Sequence, residues 1–373
     1  MDFRNLDLTC DAFSIGGFQQ FGLQLTCTVY GADANGDFVP VTSVQFFSEA
    51  GIVPVSAVLS PDPLHGGAVT VSFLSQCPLP VDVSPNAGEY QLYVPSTDPN
   101  AFIDACHQDS NGIASPTPVS RTVNPRDGQA ALVAFTIGEE CYNDVNRNGH
   151  FDPGEEDLAS CDLGEPFLDE NGNGMYDGPG VDPAIPGGEP FFDYDQNGAW
   201  TPPNGKWDAQ IPIWRSTVIT WTTASVFHQA IPGSLTVPST HCGAASFQFE
   251  YADRNGNVPT ADSAADSLSI DCGDGGCLGS AVSLQGGFNL QLDSNGLPAA
   301  TVNVYPSPSC DPNCLEPFPD GGSPPLDGGH GLCPPPVDFT VNVHIDRTLD
   351  SPGDGGGTVV HEDYPAVISG TFP

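Results

Sequence analysis

Three stretches of this 373-residue chain share one spelling, and it leaves little freedom in how they fold. The first reads Glu140-x-Tyr142-x-Asp144-x-Asn146-x-Asn148-Gly149-x-Phe151-Asp152. The second reads Glu165-x-Phe167-x-Asp169-x-Asn171-x-Asn173-Gly174-x-Tyr176-Asp177. The third reads Glu189-x-Phe191-x-Asp193-x-Asp195-x-Asn197-Gly198-x-Trp200, and the leading aspartates are 25 and 24 residues apart. Oxygen-bearing side chains at loop positions 1, 3 and 5 converge on one point when the chain curls. A glycine at position 6 permits the sharp turn, and position 7 then offers a backbone carbonyl.

An all-oxygen set of this kind suits calcium, which takes six to eight oxygens at about 2.3–2.6 Å. In the first loop the positions are filled by Asp144, Asn146, Asn148 and the carbonyl of His150. Asp152 follows at position 9, and Glu155 stands at position 12, where a bidentate carboxylate is expected. The second loop offers Asp169, Asn171, Asn173, Met175 and Asp177, and the third offers Asp193, Asp195, Asn197 and Ala199. Gly180 and Asn204 occupy position 12 in these two. Their missing carboxylates are expected from Asp182 and Asp208, or from the glutamates that precede the loops, Glu140, Glu165 and Glu189. Solvated Asn-Gly turns alone would not keep a glutamate four residues ahead and aromatics at fixed places three times in register. About three calcium ions are expected, rather than Mg²⁺, which prefers to keep its waters.

This segment resembles the EF-hand-like loops of dockerins and thrombospondin type 3 repeats. It departs from EF-hands because Pro153, Pro166, Pro179, Pro183, Pro186 and Pro190 forbid flanking amphipathic helices, so no sensor-like opening is expected. Tyr142, Phe151, Phe167, Tyr176, Phe191 and Trp200 are expected to form a thin core around the ions. Cys141 and Cys161 bracket the first loop and are expected to pair.

Eight basic residues face 47 acidic ones. Nucleic acid and anionic membranes are excluded as partners by that field. The acids are not spread evenly. Glu139 to Asp208 holds 17 acidic and two basic residues, a net of −15 over 70 residues, which asks for counter-ions at defined places. The 12 cysteines, an even number, suggest six disulfides in an oxidising, extracellular or cell-surface setting. Met1-Asp2-Phe3-Arg4 has neither the basic start nor the apolar run of a signal peptide, so a mature form or an excised piece of a longer chain is expected. No apolar run is long enough to span a membrane.

Gly and Pro make up more than a fifth of the chain, so few or no helices are expected. Period-two patterning in Leu23 to Tyr30, Val44 to Phe47 and Val69 to Phe73 predicts antiparallel strands, with Ala130 to Thr136 as a closing strand. The scheme repeats later. Phe247 to Tyr251 leads into Asp253-Arg254-Asn255-Gly256-Asn257, as Thr26 to Tyr30 leads into Asp33-Ala34-Asn35-Gly36-Asp37. Gly296 to Val304 parallels Gly66 to Phe73. Both Asn-Gly turns read as hairpin turns rather than calcium loops.

Strand, Asp-x-Asn-Gly-Asn/Asp and strand, then x-Asn-Gly-x-Ala-x-Val-x-Val, resemble bacterial Ig-like domains of the invasin and intimin type. The resemblance implies Ig-like sandwiches used as rod segments or adhesin modules outside the cell. The expected fold is all-β: two Ig-like antiparallel β-sandwich domains, residues 1–138 and 213–373, separated by an irregular calcium-loop segment, residues 139–212. The chain departs from that family in its cysteines and in two long excursions, Cys77 to Arg126 and Tyr305 to Pro336.

No His-Glu-x-x-His helix, Gly-x-Ser-x-Gly elbow or phosphate loop is present, so no enzyme is expected. Cys310, Cys314, His330 and Cys333 have zinc-like spacing, but disulfides are favoured. The expected function is a calcium-stiffened rod segment of a surface filament, stalk or adhesin. Its partners would be copies of itself, joined through the strand-like Ala366 to Phe372, or neighbouring domains. The alternative is a receptor- or glycan-binding module.

Overall fold

The computed structural model describes residues 1–18, 21–85, 87–97, 102–103, 106, 118–222, 226–230, 245–253, 255–257, 267–271, 277–279, 282–283, 291–292, 297–306, 337–349 and 358–372. The fold is all-β, with one four-residue α-helix, Leu158–Cys161, among the described residues. The chain divides into two units, Met1–Ser225 and Val226–Pro373. No helix among the described residues is long and apolar enough to cross a membrane.

The first unit begins with β1 (Asp7–Cys10), β2 (Ser14–Ile15), β3 (Gln24–Gly31), β4 (Ser43–Ser48), β5 (Ser56–Val58), β6 (Ser60–Asp62) and β7 (Gly66–Leu74). Two short ribbons follow, β8 (Leu92–Val94) with β11 (Arg121–Val123) and β9 (Phe102–Ile103) with β10 (Pro118–Val119). Two long strands complete it, β12 (Gln129–Gly138) and β13 (Ile211–Trp221). They form a four-stranded sheet, β1-β3-β7-β6, and a five-stranded sheet, β2-β13-β12-β4-β5.

The two sheets share one apolar core. Val29 and Cys27 from β3, Phe73 from β7, Val44 from β4, Leu132 from β12 and Ile213, Ile219 and Trp221 from β13 all bury in it. Each such side chain contributes roughly 1.5–3 kcal/mol. Trp221 is fully buried, edge-on to Phe18 and Phe73 at 6.0 and 6.3 Å between ring centroids. A Cβ at Gly17 would sit 2.3 Å from the Trp221 ring, so glycine there is a packing requirement.

The alternation read from β3 appears as strict in-out burial. β12 differs. Its residues are buried on both faces, in keeping with the run Ala130-Ala131-Leu132-Val133-Ala134-Phe135. The inner face meets the sandwich core. The outer face meets residues from 139–210: Leu168 packs with Ala131 and Val133, and Phe192 lies 4.4 Å from Phe135.

This corrects the expected organisation. β12 and β13 pair along their whole length, from Gln129↔Thr220 to Gly138↔Ile211. Residues 139–210 therefore leave and return at one point between adjacent strands, and cover the outer face of a sheet. They do not separate two domains. The expected boundary at 212/213 moves to 225/226, because β13 belongs to the first unit.

The second unit contains β14 (Val226–Ala230), β15 (Ala245–Asp253), β16 (Ser267–Asp271), β17 (Cys277–Gly279), β18 (Val282–Ser283), β19 (Gln291–Leu292), β20 (Pro298–Pro306), β21 (Val337–Leu349) and β22 (Thr358–Phe372). One sheet runs β14-β15-β20-β17, with β19 also on β20, and the other runs β18-β16-β21-β22.

The internal repeat extends to strand register. Tyr30↔Ala68 and Cys27↔Val71 correspond to Glu250↔Ala299 and Phe247↔Val302. Both Asn-Gly turns close alike, with Asp33 N–H on Asp37 O at 3.0 Å and Asp253 N–H on Asn257 O at 2.8 Å. The first is a tight turn rather than a hairpin, because β3 and β4 lie in different sheets. Ala366 to Phe372 belongs to β22 and pairs with β21 of the same chain.

Among the described residues, three disulfides join Cys10 to Cys27, Cys77 to Cys106 and, as expected, Cys141 to Cys161. The zinc-like set at Cys310, Cys314, His330 and Cys333 lies outside the described residues, as does most of the excursion from Tyr305 to Pro336.

Candidate metal centre

The three repeated loops fold on one hydrogen-bond plan. In each, the leading aspartate takes two backbone N–H groups. Asp144 accepts from Asn148 at 3.1 Å and Gly149 at 2.8 Å; Asp169 accepts from Asn173 at 2.9 Å and Gly174 at 2.8 Å; Asp193 accepts from Asn197 at 3.0 Å and Gly198 at 2.9 Å. The position-6 glycines have φ of +75°, +78° and +79°, a left-handed conformation that L side chains rarely adopt. Arg147 and Gln196, at position 4, have φ of 58° and 59°, so the curl bends two residues before the glycine as well. His150, Met175 and Ala199 stand at position 7, their N–H groups bound to the Oδ1 of Asn148, Asn173 and Asn197.

The position-12 carboxylates reach their loops by two routes. Glu155 serves its own loop, accepting Val145 N–H and Asp152 N–H, both at 3.0 Å. The second and third loops exchange theirs. Glu189, which precedes the third loop, accepts Glu170 N–H at 3.0 Å and Asp177 N–H at 2.8 Å in the second. Glu165, which precedes the second loop, accepts Tyr194 N–H at 2.7 Å and Thr201 N–H at 3.0 Å in the third. A short antiparallel contact joins the two, with Phe167 opposite Phe191, Leu168 N–H on Pro190 O and Phe192 N–H on Pro166 O, both at 2.8 Å.

The same plan occurs a fourth time, split in two. Asp162 accepts Asn204 N–H at 3.1 Å and Gly205 N–H at 2.8 Å, across 42 and 43 residues. Lys206 N–H donates to Asn204 Oδ1 at 2.8 Å, and Gly205 has φ of +76°. Glu140 takes the position-12 role, accepting Leu163 N–H at 2.7 Å and Asp208 N–H at 2.9 Å. Position 3 falls on Gly164, which has no side-chain oxygen. The second and third loops lie wholly within the split, so an inner pair is nested in an outer pair made of the first and fourth loops.

Aromatic contacts repeat with the pairs. In the outer pair, Phe151 stacks on Trp207 at 4.2 Å with Tyr142 edge-on to both. In the inner pair, Tyr176 stacks on Trp200 at 4.7 Å with Phe167 edge-on to both. Trp207 Nε1–H donates to Glu140 O, and Trp200 Nε1–H to Glu165 O. The thin aromatic core read from sequence is present, with Trp207 added.

Each loop gathers three carboxylates. They are Asp144, Asp152 and Glu155; Asp169, Asp177 and Glu189; Asp193, Asp195 and Glu165; and Asp162, Asp208 and Glu140. In the third loop Thr201 replaces the position-9 aspartate, and Asp195 at position 3 restores the count. Carboxylate oxygens of Glu165, Asp193 and Asp195 lie within 4.8 Å of one another, a group that could hold a metal ion. Among the described residues no Lys or Arg forms an ion pair with a loop carboxylate. Burial pushes Glu189 up to about 7 and raises Glu140 as well, since a buried carboxylate without a countercharge resists ionising. An oxygen-only set with three carboxylates fits a hard divalent cation of calcium's size. Cys141, Asp157 and Cys161 also lie close together, but the two sulfurs are joined to each other.

Two expected completing residues change roles. Asp208 completes the split loop rather than the third. Asp182 completes none: its carboxylate accepts Ser84 Oγ–H at 2.7 Å and Ala184 N–H at 2.7 Å, tying the insertion to the segment after β7. Asp162 and Asn204 are ligand positions that contiguous reading misses. The signal for them was the run Asn204-Gly205-Lys206-Trp207-Asp208, which copies Asn148-Gly149-His150-Phe151-Asp152. No family model, curated protein or solved structure matches the chain.

Proposed function

We propose that the chain is a non-enzymatic, extracellular structural module in which calcium ions hold a plate of loops against a β-sandwich. It would serve as a segment of a surface filament, stalk or adhesin. The observation that carries this reading is the single ligand plan built four times, with three carboxylates in each copy and, among the described residues, no basic side chain paired with them. One ion per loop makes four. The ions stiffen the outer face of the β12–β13 sheet, and not a junction between domains as the linear order suggested. The disulfides among the described residues support an oxidising compartment. Partners remain those the sequence suggests, copies of the chain or neighbouring domains of a surface protein.

Calorimetric titration of the full chain tests the reading. Four ions are expected. Asp144→Ala should lose the first loop's ion and Glu165→Gln the third's, each as one fewer ion at moderate calcium. A chain that binds no calcium at millimolar concentration contradicts it.

A second reading, the glycan- or receptor-binding module, is supported by a shallow cavity of about 690 Å³ lined by Tyr176, Pro179, Pro190, Phe191 and Trp200. Its size suits a small ligand, and aromatic faces suit sugar rings. A glycan array probed with the calcium-loaded chain tests it, and binding unchanged in Trp200→Ala would count against this cavity.

A further inference from the structure

We infer that the Cys141–Cys161 disulfide sets the calcium affinity of the split fourth loop and leaves the inner pair unaffected. This rests on the calcium reading above. Cys141 directly follows Glu140, and Cys161 directly precedes Asp162. The bridge therefore joins the two segments that carry position 12 and position 1 of the fourth loop. The remaining carboxylate, Asp208, needs no bridge. Glu140 N–H donates to Asp208 O at 3.0 Å, which continues the pairing of β12 with β13.

Asp162 has no strand ladder to place it. It meets Glu140 through the N–H of Leu163, Trp214 Nε1–H holds the neighbouring Gly164 O at 3.1 Å, and the bridge is the covalent link between the two segments. Both cysteines are buried, at 2% and 4% exposure, within the apolar core of the sandwich, so the link has a fixed anchor. The 20-residue separation between the cysteines sets how far Asp162 can stray once the link is gone. The fourth loop is also the one with no side-chain ligand at position 3, so it depends most on having its other ligands held in place. The inner pair contains no cysteine and closes through Leu168, Pro190, Phe192 and Pro166. The first loop is contiguous from Asp144 to Glu155 and gathers its own ligands.

Opening the bridge takes two electrons and two protons from an external dithiol, which leaves as its own cyclic disulfide while the protein gains two thiols. Linkage makes the coupling reciprocal: if the bridge tightens calcium, calcium stabilises the bridge by the same factor. Full loading is then a property of the oxidised chain. Closing a loop of about 20 residues limits the effect to a few hundredfold, and the fold of the first loop retains part of it. The expected loss is roughly ten- to hundredfold.

The four tryptophans make this measurable in the full chain labelled with 5-fluorotryptophan. Trp207 bonds to Glu140 and stacks on Phe151, so it reports the outer pair that contains the fourth loop; Trp200 bonds to Glu165 and reports the inner pair; Trp221, in the sandwich core, reports the fold. Calcium is titrated while the fluorine resonances are followed, in the native chain and in the Cys141→Ser, Cys161→Ser double variant. The Trp207 midpoint should rise roughly ten- to hundredfold in the variant, the Trp200 midpoint should stay within about twofold, and Trp221 should not move. An unmoved Trp207 midpoint, or equal shifts at Trp200 and Trp207, overturns the inference. If the variant loses the Trp221 signal, the unmutated chain decides. In a dithiothreitol redox buffer, calcium should shift the Cys141–Cys161 equilibrium toward the disulfide and leave Cys10–Cys27 where it was, and no shift overturns the inference. A native chain in which neither Trp200 nor Trp207 responds to calcium contradicts the calcium reading itself.

Discussion

The sandwich of the first unit and the loop plate inserted in it are built on opposite principles. The sandwich has a continuous apolar core from Phe3 to Trp221, shared by two sheets. The plate has small aromatic clusters, isolated β-bridges in place of strands, and carboxylates that collect backbone N–H groups. Its apolar anchoring to the sandwich rests on a few side chains, Leu168, Phe192 and Phe167 on the outer face of the sheet and Cys141, Cys161 and Leu163 at the core. One region is stable because it excludes water. The other has its ligands arranged but carries a charge it cannot neutralise alone. The contrast suggests how a strongly acidic segment can be ordered without a core of its own: the sheet supplies the floor and, on the reading proposed above, bound cations supply the missing countercharge.

Chelation is the most forceful way to break the comparison. With calcium removed, hydrogen exchange should accelerate across residues 139–208 while β3, β7 and β13 stay protected. If the sandwich loses protection together with the plate, the two are one cooperative unit and the contrast fails.

A core substitution at the contact comes next. Leu168 is 4% exposed and packs on Ala131, Val133, Phe47 and Trp214. Leu168→Ala should cost about 2–4 kcal/mol of plate docking, read as a lower melting temperature for the plate with that of the sandwich nearly unchanged.

Glu49 joins the regions electrostatically. Its carboxylate accepts Val81 N–H at 2.8 Å and Ala131 N–H at 3.0 Å, yet burial pushes it up to about 8, with the charges of Glu170 and Glu189 adding to the rise. Between its ordinary value of about 4.3 and that value the unfolded chain has lost the proton while the folded chain keeps it. Glu49's contribution to the stability of the chelated protein should therefore fall as pH rises through this window, by at most about 1.4 kcal/mol per pH unit, and level off above it, with Glu170 and Glu189 adding slope of the same sign. Calcium beside Glu189 should flatten the slope. Denaturant melts at pH 5, 6, 7 and 8, with and without calcium, check both statements; an identical slope in calcium would remove the electrostatic link.

The smallest effect is at the tether. Ser84→Ala removes the hydroxyl that donates to Asp182 and should cost about 1–2 kcal/mol, visible as faster exchange near Asp182 with the calcium count unchanged.

What the sequence revealed follows the same division. The curl of three loops, positions 1 to 7, was legible because its hydrogen-bonding residues are contiguous and the geometry demands fixed spacing. The exchange of Glu165 and Glu189 was not, because it is a tertiary pairing and either glutamate could have served either loop. The fourth loop was hidden by the sequence separation of 42 from Asp162 to Asn204. The strands of β3, β4, β7 and β12 were legible from alternation or apolar runs. β13 was placed in the wrong unit because its partner lies some seventy residues upstream and nothing local marks it. The unbroken apolar run of β12 did carry the missing information, since a strand with both faces apolar must be covered on both.

The central claim is that four calcium ions sit in two nested pairs whose inner members exchange glutamates. A calcium-loaded crystal, with ions placed by anomalous scattering, addresses it most directly. The account predicts four ions, with Glu189 on the ion held by Asp169 and Asp177, Glu165 on the ion held by Asp193 and Asp195, and Glu140 on the ion held by Asp162 and Asp208. Three or fewer ions at saturating calcium, or each inner glutamate on the loop that directly follows it, would contradict it.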